Sequence, residues 1–263
     1  ATKPANPWAF LYTKKLEIDR NRALSRAKYD FEATMTLSEQ SKADLVWLKQ
    51  NLPQIEAPIR ICNPDLVFFT DASKKGWGYF DPQENKKGGG RWSYEESMDH
   101  INFLEIKAIF LMLLCVAKHL EKLHLRVMTD NITAMTCINK QGSTKSPKCN
   151  WLTRQIWEFV IDREIWISAA FCPGVENVEA DGASRVFNDQ TEWTLQDYIL
   201  DQISQEFGYP TIDLFATRLN HKVDRYCAWQ PDPEPGRSDG PTGADDPNPS
   251  SWTGRRDLLY SGR

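Results

Sequence analysis

The chain has 263 residues, of which 41% are hydrophobic and 26% are charged, so it is long enough to bury at least one sizeable core. Lys and Arg number 32 and Asp and Glu number 36, and the net charge of −4 argues against a histone-like or polybasic nucleic-acid binder. The most apolar stretch, residues 103–117, contains charged residues and is too short to span a bilayer, and no signal peptide leads the chain. We therefore expect neither a membrane protein nor a secreted one.

The cysteines predict the redox environment of the protein, and the first residue bears on whether the chain is part of a longer product. Six cysteines show no close pair and no Cys/His spacing typical of a zinc site, which predicts a reduced, intracellular setting. The first residue is not Met, which predicts a segment of a longer product.

Charge is distributed unevenly along the chain. Residues 1–60 carry 10 basic and 7 acidic residues, residues 61–187 carry 15 and 16, and residues 188–263 carry 7 and 13. We predict a helical segment at 1–60, an α/β domain at 61–187, a helical extension at 188–230 and a disordered tail at 231–263. The tail has 6 Pro and 5 Gly in 33 residues and no Leu, Ile, Val or Phe before Leu258, so it cannot form a core.

The predicted elements alternate in a simple order. Ser38 is the expected N-cap of a helix that ends at Leu52-Pro53, and the basic residues before it fit an ordinary solvated helical surface. Strands at 66–70, 76–80 and 90–93 predict an antiparallel meander. A helix at about 101–120 follows, then a strand at 123–129, helices at 131–139 and 149–163, a strand at 165–171 and a helix near 177–186. This order predicts a mixed α/β sheet with helices on its faces.

One acid lies on the apolar side of the long helix. On a wheel of about 100° per residue, Glu105 falls within the apolar stripe, and Lys107 and Lys118 fall on the opposite side. An unpaired ionised carboxylate in such a place is costly, so Glu105 should be paired, protonated or bound to a cation. A salt bridge to a basic residue of a neighbouring strand is the plain structural alternative.

Two further acids stand at strand ends, and a third lies on a helix. Asp71 follows the first strand, Asp130 follows the strand at 123–129, and Asp181 lies on the helix near 177–186. Singly, they fit an Asx turn, a helix N-cap and a solvated helical acid. Converging carboxylates repel each other unless divalent cations neutralise them, and hard oxygen ligands suit Mg²⁺ or Mn²⁺.

The four acids lie in recognisable sequence patterns. These are Thr70-Asp71-Ala72-Ser73 with Gly76-Trp77-Gly78, Phe103-Leu104-Glu105, Thr129-Asp130-Asn131 and residues 173–185. Together they resemble the ribonuclease H domain of retroelement polyproteins. Residues 130–134, 138–142 and 212–220 resemble most closely the DIRS-type, tyrosine-recombinase retrotransposons, and residues 1–60 are similar to the segment that connects reverse transcriptase to ribonuclease H there. The resemblance covers residues 8–233.

The resemblance implies a fold, an activity and a site. The fold is a ribonuclease H-like mixed five-stranded sheet flanked by helices, and the activity is hydrolysis of the RNA strand of an RNA/DNA hybrid. Two Mg²⁺ ions, with Mn²⁺ as a substitute, would be bound by the catalytic acids, with Asp71 bridging both. The implied partners are the hybrid and the reverse transcriptase domain of the same polyprotein. The catalytic and metal-binding residues carried over are Asp71, Glu105, Asp130 and Asp181, and the substrate contacts are backbone amides near Ala72 and Ser73 and the side chains of Asn131 and Gln141.

The chain departs from the pattern at one loop, and two other functions stay open. Many ribonucleases H have a His in the loop before the last acid, whereas here the loop contains Cys172-Pro173, so we expect slower turnover. One alternative is a catalytically idle, nucleic-acid-binding or structural remnant of a decayed element. The other is a nuclease with the same metals that acts on DNA, as integrases and transposases do.

Two further sets of residues carry expectations. Tryptophans 77, 92, 151, 157 and 166 are expected in the core rather than as base-stacking platforms. The candidates for phosphate contact are Lys74, Lys75, Lys86, Lys87, Arg91, Lys140, Lys145, Lys148 and Arg154.

Overall fold

A computed structural model of the chain describes residues 6–53, 63–187, 193–228 and 231–233. The predicted disordered tail lies almost wholly outside these residues. No helix within them has both the length and the apolar character that crossing a membrane requires. The elements in chain order are α1 (Ala9–Arg26), α2 (Glu39–Asn51), β1 (Leu66–Ala72), β2 (Gly76–Asp81), β3 (Lys86–Arg91), α3 (Tyr94–Ser97), α4 (Ile101–Val116), β4 (His124–Thr129), α5 (Ile132–Asn139), α6 (Pro147–Ile161), β5 (Trp166–Phe171), α7 (Val178–Arg185), α8 (Asp197–Phe207), β6 (Asp213–Leu214) and β7 (Tyr226–Cys227).

Five strands form one mixed sheet in the order β3-β2-β1-β4-β5. β1, β2 and β3 are antiparallel neighbours, whereas β1 pairs with β4, and β4 with β5, in parallel. Helices connect the parallel strands, because parallel neighbours require a crossover connection. The carboxyl ends of β1 and β4 therefore lie at the same edge. This arrangement confirms the predicted mixed five-stranded sheet flanked by helices.

The third strand begins earlier than predicted. β3 starts at Lys86 rather than at residue 90, because Lys86 pairs with Asp81 and Lys87 with Phe80. Its sequence is Lys-Lys-Gly-Gly-Gly-Arg, and Lys and Gly are both depleted in strands. Pairing with β2 determines this strand, so its own residues carried little signal for it.

Helix α4 is buried on most of its circumference. Leu104, Ile109 and Met112 are fully buried, and Glu105 is only 4% exposed. The Glu105 carboxylate also accepts a hydrogen bond from the Ala72 amide of β1, which confirms the prediction that Glu105 faces the sheet. Lys107 lies elsewhere on the helix and forms an ion pair with Glu96, with the two charged atoms 2.6 Å apart.

The N-terminal residues form a helical hairpin of α1 and α2. Ser38 is the N-cap of α2, as predicted, and its hydroxyl accepts a hydrogen bond from the Ser41 amide. The Asp19 carboxylate on α1 accepts hydrogen bonds from the hydroxyls of Ser38 and Ser41 at 2.5 and 2.6 Å. One buried acid thus holds the start of α2 against α1.

The hairpin packs directly on the sheet domain. The ring of Trp8 lies 5.6 Å from that of Trp157 and 5.4 Å from that of Trp166. Asp44 on α2 is almost fully buried and accepts hydrogen bonds from Arg154 on α6 at 2.8 and 3.1 Å. The two parts of the chain therefore share one hydrophobic core.

The tryptophans follow the prediction with one exception. Trp77, Trp92 and Trp157 are buried and Trp166 is partly buried, but Trp151 is 58% exposed. The prediction for Trp151 was wrong because the buried residues of α6 follow a stripe that this residue does not join. The stripe consists of Cys149, Leu152, Thr153, Ile156, Trp157 and Val160.

Candidate metal centre

Asp71 and Asp130 approach each other because β1 and β4 are parallel neighbours. Asp71 lies near the carboxyl end of β1 and pairs with Gly78 of β2, and Asp130 directly follows β4. Glu105 projects from the second turn of α4, which packs on β1. Carboxylate oxygens of Asp71, Glu105 and Asp130 lie within 4.8 Å of one another. The structure thus brings three of the four predicted metal ligands together.

Burial, together with neighbouring charges, disfavours the ionised forms of Glu105 and Asp71. Burial raises the pKa of Glu105 to about 9, and the charges of Asp71 and Asp130 add to the effect, while a hydrogen bond from the Ala72 amide opposes it. The pKa of Asp71 is also raised, first by burial and then by the charges of Asp130 and Asp181, against a hydrogen bond from Ser184.

A divalent cation fits this cluster. Glu105 Oε2 is buried and has no hydrogen-bond partner among the described residues. A lone pair left without a donor beside two other carboxylates is the arrangement that a hard cation with oxygen ligands would stabilise. Asp71, Glu105 and Asp130 are therefore the residues that would bind it.

Asp181 lies near the cluster but outside it. Its carboxylate accepts hydrogen bonds from Arg185, one turn further along α7, with N–O distances of 2.6 and 2.7 Å. Its charge still raises the pKa of Asp71 and Glu105. The fourth predicted ligand is thus engaged with an arginine rather than with the other three acids.

Helix α7 contributes a residue that the sequence analysis did not assign. The Ser184 hydroxyl donates a hydrogen bond of 2.6 Å to Asp71 Oδ2, and Ser184 is fully buried. It stands three residues after Asp181, which places it on the same helical face as that acid. That spacing was the signal in the sequence that could have identified it.

Gly78 allows α7 to approach the sheet this closely. A Cβ at Gly78 would lie 2.5 Å from the Ser184 amide nitrogen and 2.6 Å from the Ala180 carbonyl oxygen. A Cβ at Gly182, within α7, would have nothing within 4 Å. Gly78 is therefore required by a backbone contact, and Gly182 is not.

We expect Gly78→Ala to lower the free energy of unfolding by about 1–3 kcal/mol, because the new methyl group must displace α7. Gly182→Ala is the matched control, and it should leave stability unchanged or raise it, since alanine is the better helix former. Urea denaturation of both variants measures the difference. Equal stability of Gly78→Ala and the parent would contradict the packing described here.

The amides predicted to contact substrate are already engaged. The Ala72 amide binds the Glu105 carboxylate, and the Ser73 amide donates to the Gly76 carbonyl oxygen at 2.9 Å. The Ser73 hydroxyl donates to the Ser184 carbonyl oxygen at 2.7 Å. These groups stabilise the site and the β1–β2 turn, and they do not present free donors to a phosphate.

Asn131 and Gln141 have different surroundings. Asn131 caps α5, accepting from the Ala134 amide at 2.9 Å, and donates to Asn102 at 3.0 Å beside the acid cluster. Gln141 is 3% exposed, accepts from the Leu11 amide and donates to the Pro7 carbonyl oxygen. Gln141 thus holds α1 on the domain and does not face the cluster, which departs from its expected role.

Several of the candidate phosphate-binding cations are paired within the chain. Such a cation must exchange one partner for another to bind a phosphate, which reduces its contribution. The ion pairs among them are Lys86 with Glu84, Lys87 with Glu179, Lys148 with Asp99 and Arg154 with Asp44.

The loop that lacks the expected His lies directly beside the cluster. Cys172 is buried, and a Cβ at Gly174 would lie 3.2 Å from Asp130 Oδ2. Small residues in this loop therefore let the backbone approach the acid.

The described cysteines, Cys115, Cys137, Cys149, Cys172 and Cys227, are all free thiols.

Of the comparisons with known proteins, the one with solved structures found similar proteins. No protein-family model and no curated protein matches it. RNase H1 from the halophilic archaeon Halobacterium salinarum NRC-1 is 15% identical, covering 45% of this chain and 92% of that chain with a TM-score of 0.38. LC11-RNase H1 in complex with an RNA/DNA hybrid is 17% identical, covering 45% and 93% with a TM-score of 0.38. Prototype Foamy Virus protease-reverse transcriptase is 13% identical, covering 73% of this chain and 27% of that chain with a TM-score of 0.32.

Proposed function

We propose that the protein hydrolyses the RNA strand of RNA/DNA hybrids with two bound divalent metal ions, Mg²⁺ or Mn²⁺. The observation that carries this proposal is the convergence of Asp71, Glu105 and Asp130, with one buried Glu105 oxygen left without a hydrogen-bond donor. The sequence patterns around these acids support the same conclusion, because they resemble the ribonuclease H domain of retroelement polyproteins.

The side chains and amides of the site have distinct tasks in this proposal. The Ser184 hydroxyl and the Ala72 amide fix the carboxylates of Asp71 and Glu105 in position. Bound divalent cations would lower the pKa of the attacking water and neutralise charge on the leaving oxygen. Asn131, held by Asn102, lies beside Asp130, where it could bind a sugar or phosphate oxygen. Recognition would depend on 2′-hydroxyl groups and hybrid shape, so cleavage should show little sequence preference.

The biological setting is part of the proposal. The patterns at 130–134, 138–142 and 212–220 support an origin in a DIRS-type retrotransposon, with action during reverse transcription inside the cell. The reverse transcriptase domain of the same polyprotein is the proposed protein partner. In that polyprotein, residues 1–60 would be the connection, 61–187 the catalytic domain and 188–230 an extension.

One observation favours the idle-remnant alternative. Asp181 is paired with Arg185 and does not join the other three acids. If this pairing persists with cations present, the site has three ligands in place of four and binds the second ion weakly.

A substrate panel separates the three functions. The protein is incubated with Mg²⁺ and an end-labelled RNA/DNA hybrid, RNA duplex or DNA duplex of the same sequence, and the products are resolved on a denaturing gel. We expect cleavage of the RNA strand of the hybrid alone, leaving 3′-hydroxyl and 5′-phosphate ends. Three intact substrates would support the idle remnant, and cleaved DNA would support the integrase-like nuclease.

A further inference from the structure

The motif at 212–220 lies outside the acid cluster and contains an arginine that reaches the sheet domain. Arg218 is 12% exposed, and its Nη1 and Nη2 each lie 2.9 Å from an oxygen of Glu96. Nη2 also donates to the Arg91 carbonyl oxygen, at the end of β3, at 2.8 Å. This paired geometry is the strong form of an arginine–carboxylate contact.

The residues around Arg218 hold its backbone in place. Asn220 accepts hydrogen bonds from the amide and hydroxyl of Thr217 at 2.6 and 3.1 Å. The Arg218 amide donates to Asp232 at 2.6 Å, and the Tyr226 hydroxyl donates to the same oxygen at 2.7 Å. The guanidinium is thus presented on a preorganised turn, which lowers the entropy lost when it binds Glu96.

Glu96 connects three parts of the domain. Besides Arg218, it binds the Ser93 amide at 2.7 Å, which caps α3, and Lys107 on α4 at 2.6 Å. Burial alone would raise the pKa of Glu96, but hydrogen bonds and charges of Arg218 and Lys107 lower it to about 2. Glu96 is therefore ionised throughout the neutral range, and both of its basic partners remain attached.

A continuous series of contacts leads from this junction to the acid cluster. Trp92, next to Arg91, is buried and donates from its ring nitrogen to the Ser73 carbonyl oxygen at 2.8 Å. Ser73 follows Ala72, whose amide binds the Glu105 carboxylate. Lys107 lies two residues after Glu105 on α4 and 6.0 Å from the centre of the Trp92 ring.

We propose that Arg218 is a positioning residue for the acid cluster, which it supports by joining the end of β3 to Glu96 of α3, the residue that pairs with Lys107 of α4. Without it, the Trp92 contact to the end of β1 and the Lys107 contact on α4 both lose a shared support. Glu105 would then be held less firmly opposite Asp71. The cleavage part of this inference rests on the proposed function, whereas the cation-binding part needs only the cluster.

The test compares Arg218→Ala and Arg218→Lys with Arg163→Ala as the matched control. Arg163 donates to a helix carbonyl group, that of Phe159, and lies between α6 and β5 at the opposite edge of the sheet. Two quantities are measured well below the unfolding midpoint: kcat and KM for hybrid cleavage, and Mn²⁺ affinity by calorimetry without nucleic acid. Circular dichroism confirms that each variant is folded.

We expect Arg218→Ala to lower kcat and Mn²⁺ affinity each by about tenfold with little change in KM, the lower end of what a lost support costs a metal site. Arg218→Lys should recover part of both losses because it keeps one contact to Glu96, and Arg163→Ala should resemble the parent. If Arg218→Ala does not fold, kcat and Mn²⁺ affinity are measured on Arg218→Lys and Glu96→Gln instead. Losses in both quantities would then support the positioning role of Arg218.

The outcomes separate this inference from the proposed function. Variants at Arg218 that unfold at lower temperature but keep parental kcat and Mn²⁺ affinity would overturn the positioning role. A parent that binds Mn²⁺ but leaves the hybrid intact would overturn the proposed function, and Mn²⁺ affinity alone would then decide the role of Arg218. A parent protein that neither binds Mn²⁺ nor cleaves the hybrid would overturn both the proposed function and the positioning role of Arg218.

Discussion

Glu105→Gln and Asp130→Asn should each lower the rate of hybrid cleavage by more than about a hundredfold, because residues that merely orient metal ligands already account for ten- to a hundredfold. Both substitutions keep the size of the side chain and remove its charge, so the loss would reflect cation binding rather than packing. Gel assays of RNA-strand cleavage in Mg²⁺, at matched concentrations of folded protein, measure the effect.

Asp181→Asn and Glu179→Gln make the comparison sharper. Both residues lie on α7, but Glu179 is paired with Lys87 and is not one of the clustered acids, so its variant should keep the parental kcat, with any effect of the freed Lys87 confined to KM. The cleavage rate of Asp181→Asn should lie between those of Glu179→Gln and Asp130→Asn, because the Asp181 carboxylate lies near the cluster but is bound by Arg185. If Asp130→Asn cleaves as fast as the parent, the acid cluster is not the catalytic site.

The second large effect concerns the stability of the cation-free protein. The pKa of Glu105 is about 9 in the folded state against 4.5 for an ordinary glutamate, so folding retains a proton that the unfolded chain releases. The stability contributed by the neutral group is complete below pH 4.5 and is lost as the pH rises towards 9. At about 1.4 kcal/mol per pH unit, the loss between pH 4.5 and 7 is about 3 kcal/mol.

Added cation and one substitution should each remove this loss. In the presence of EDTA, Glu105→Gln should unfold at a higher urea concentration than the parent at pH 7, and the gap should close as the pH falls to 4.5. Mn²⁺ at about a hundred times its dissociation constant should stabilise the parent by about 2.7 kcal/mol. Glu179→Gln should respond to Mn²⁺ like the parent, and a parent indifferent to Mn²⁺ would argue against a cation at this cluster.

Local patterns in the sequence predicted the elements and the direction in which Glu105 faces. The helical wheel placed Glu105 opposite Lys107, which predicted a carboxylate facing the sheet although apolar residues cover most of α4. Asp130 follows an apolar strand and Asp71 lies one residue before the end of another, so the ends of those strands could be located to within two residues in the sequence. That β1 and β4 are adjacent and parallel came from the structure, because spacing alone does not pair strands.

Rotamers and distant partners could not be predicted in this way. Gln141 adopts a left-handed backbone conformation and binds residues more than a hundred positions away, a contact that no local pattern encodes. Trp151 is exposed because the buried stripe of α6 excludes it, although its residue type favoured the core. The rotamer of Asp181 directs its carboxylate to Arg185 and away from the acid cluster, and a side-chain rotamer is not encoded in a local sequence pattern.

By itself, the sequence determined which residues could serve a metal site: four acids at strand ends and on helical faces, in an order that resembles one family. The tertiary structure decided which of them converge, because parallel pairing of β1 with β4 and the approach of α7 over Gly78 set the distances between the side chains. It also decided that Gln141 and Asp44 hold α1 and α2 on the sheet domain, and that Arg218 joins the motif at 212–220 to that domain. Hydrophobic periodicity specifies a face of an element, whereas the partner on that face depends on the whole packed chain.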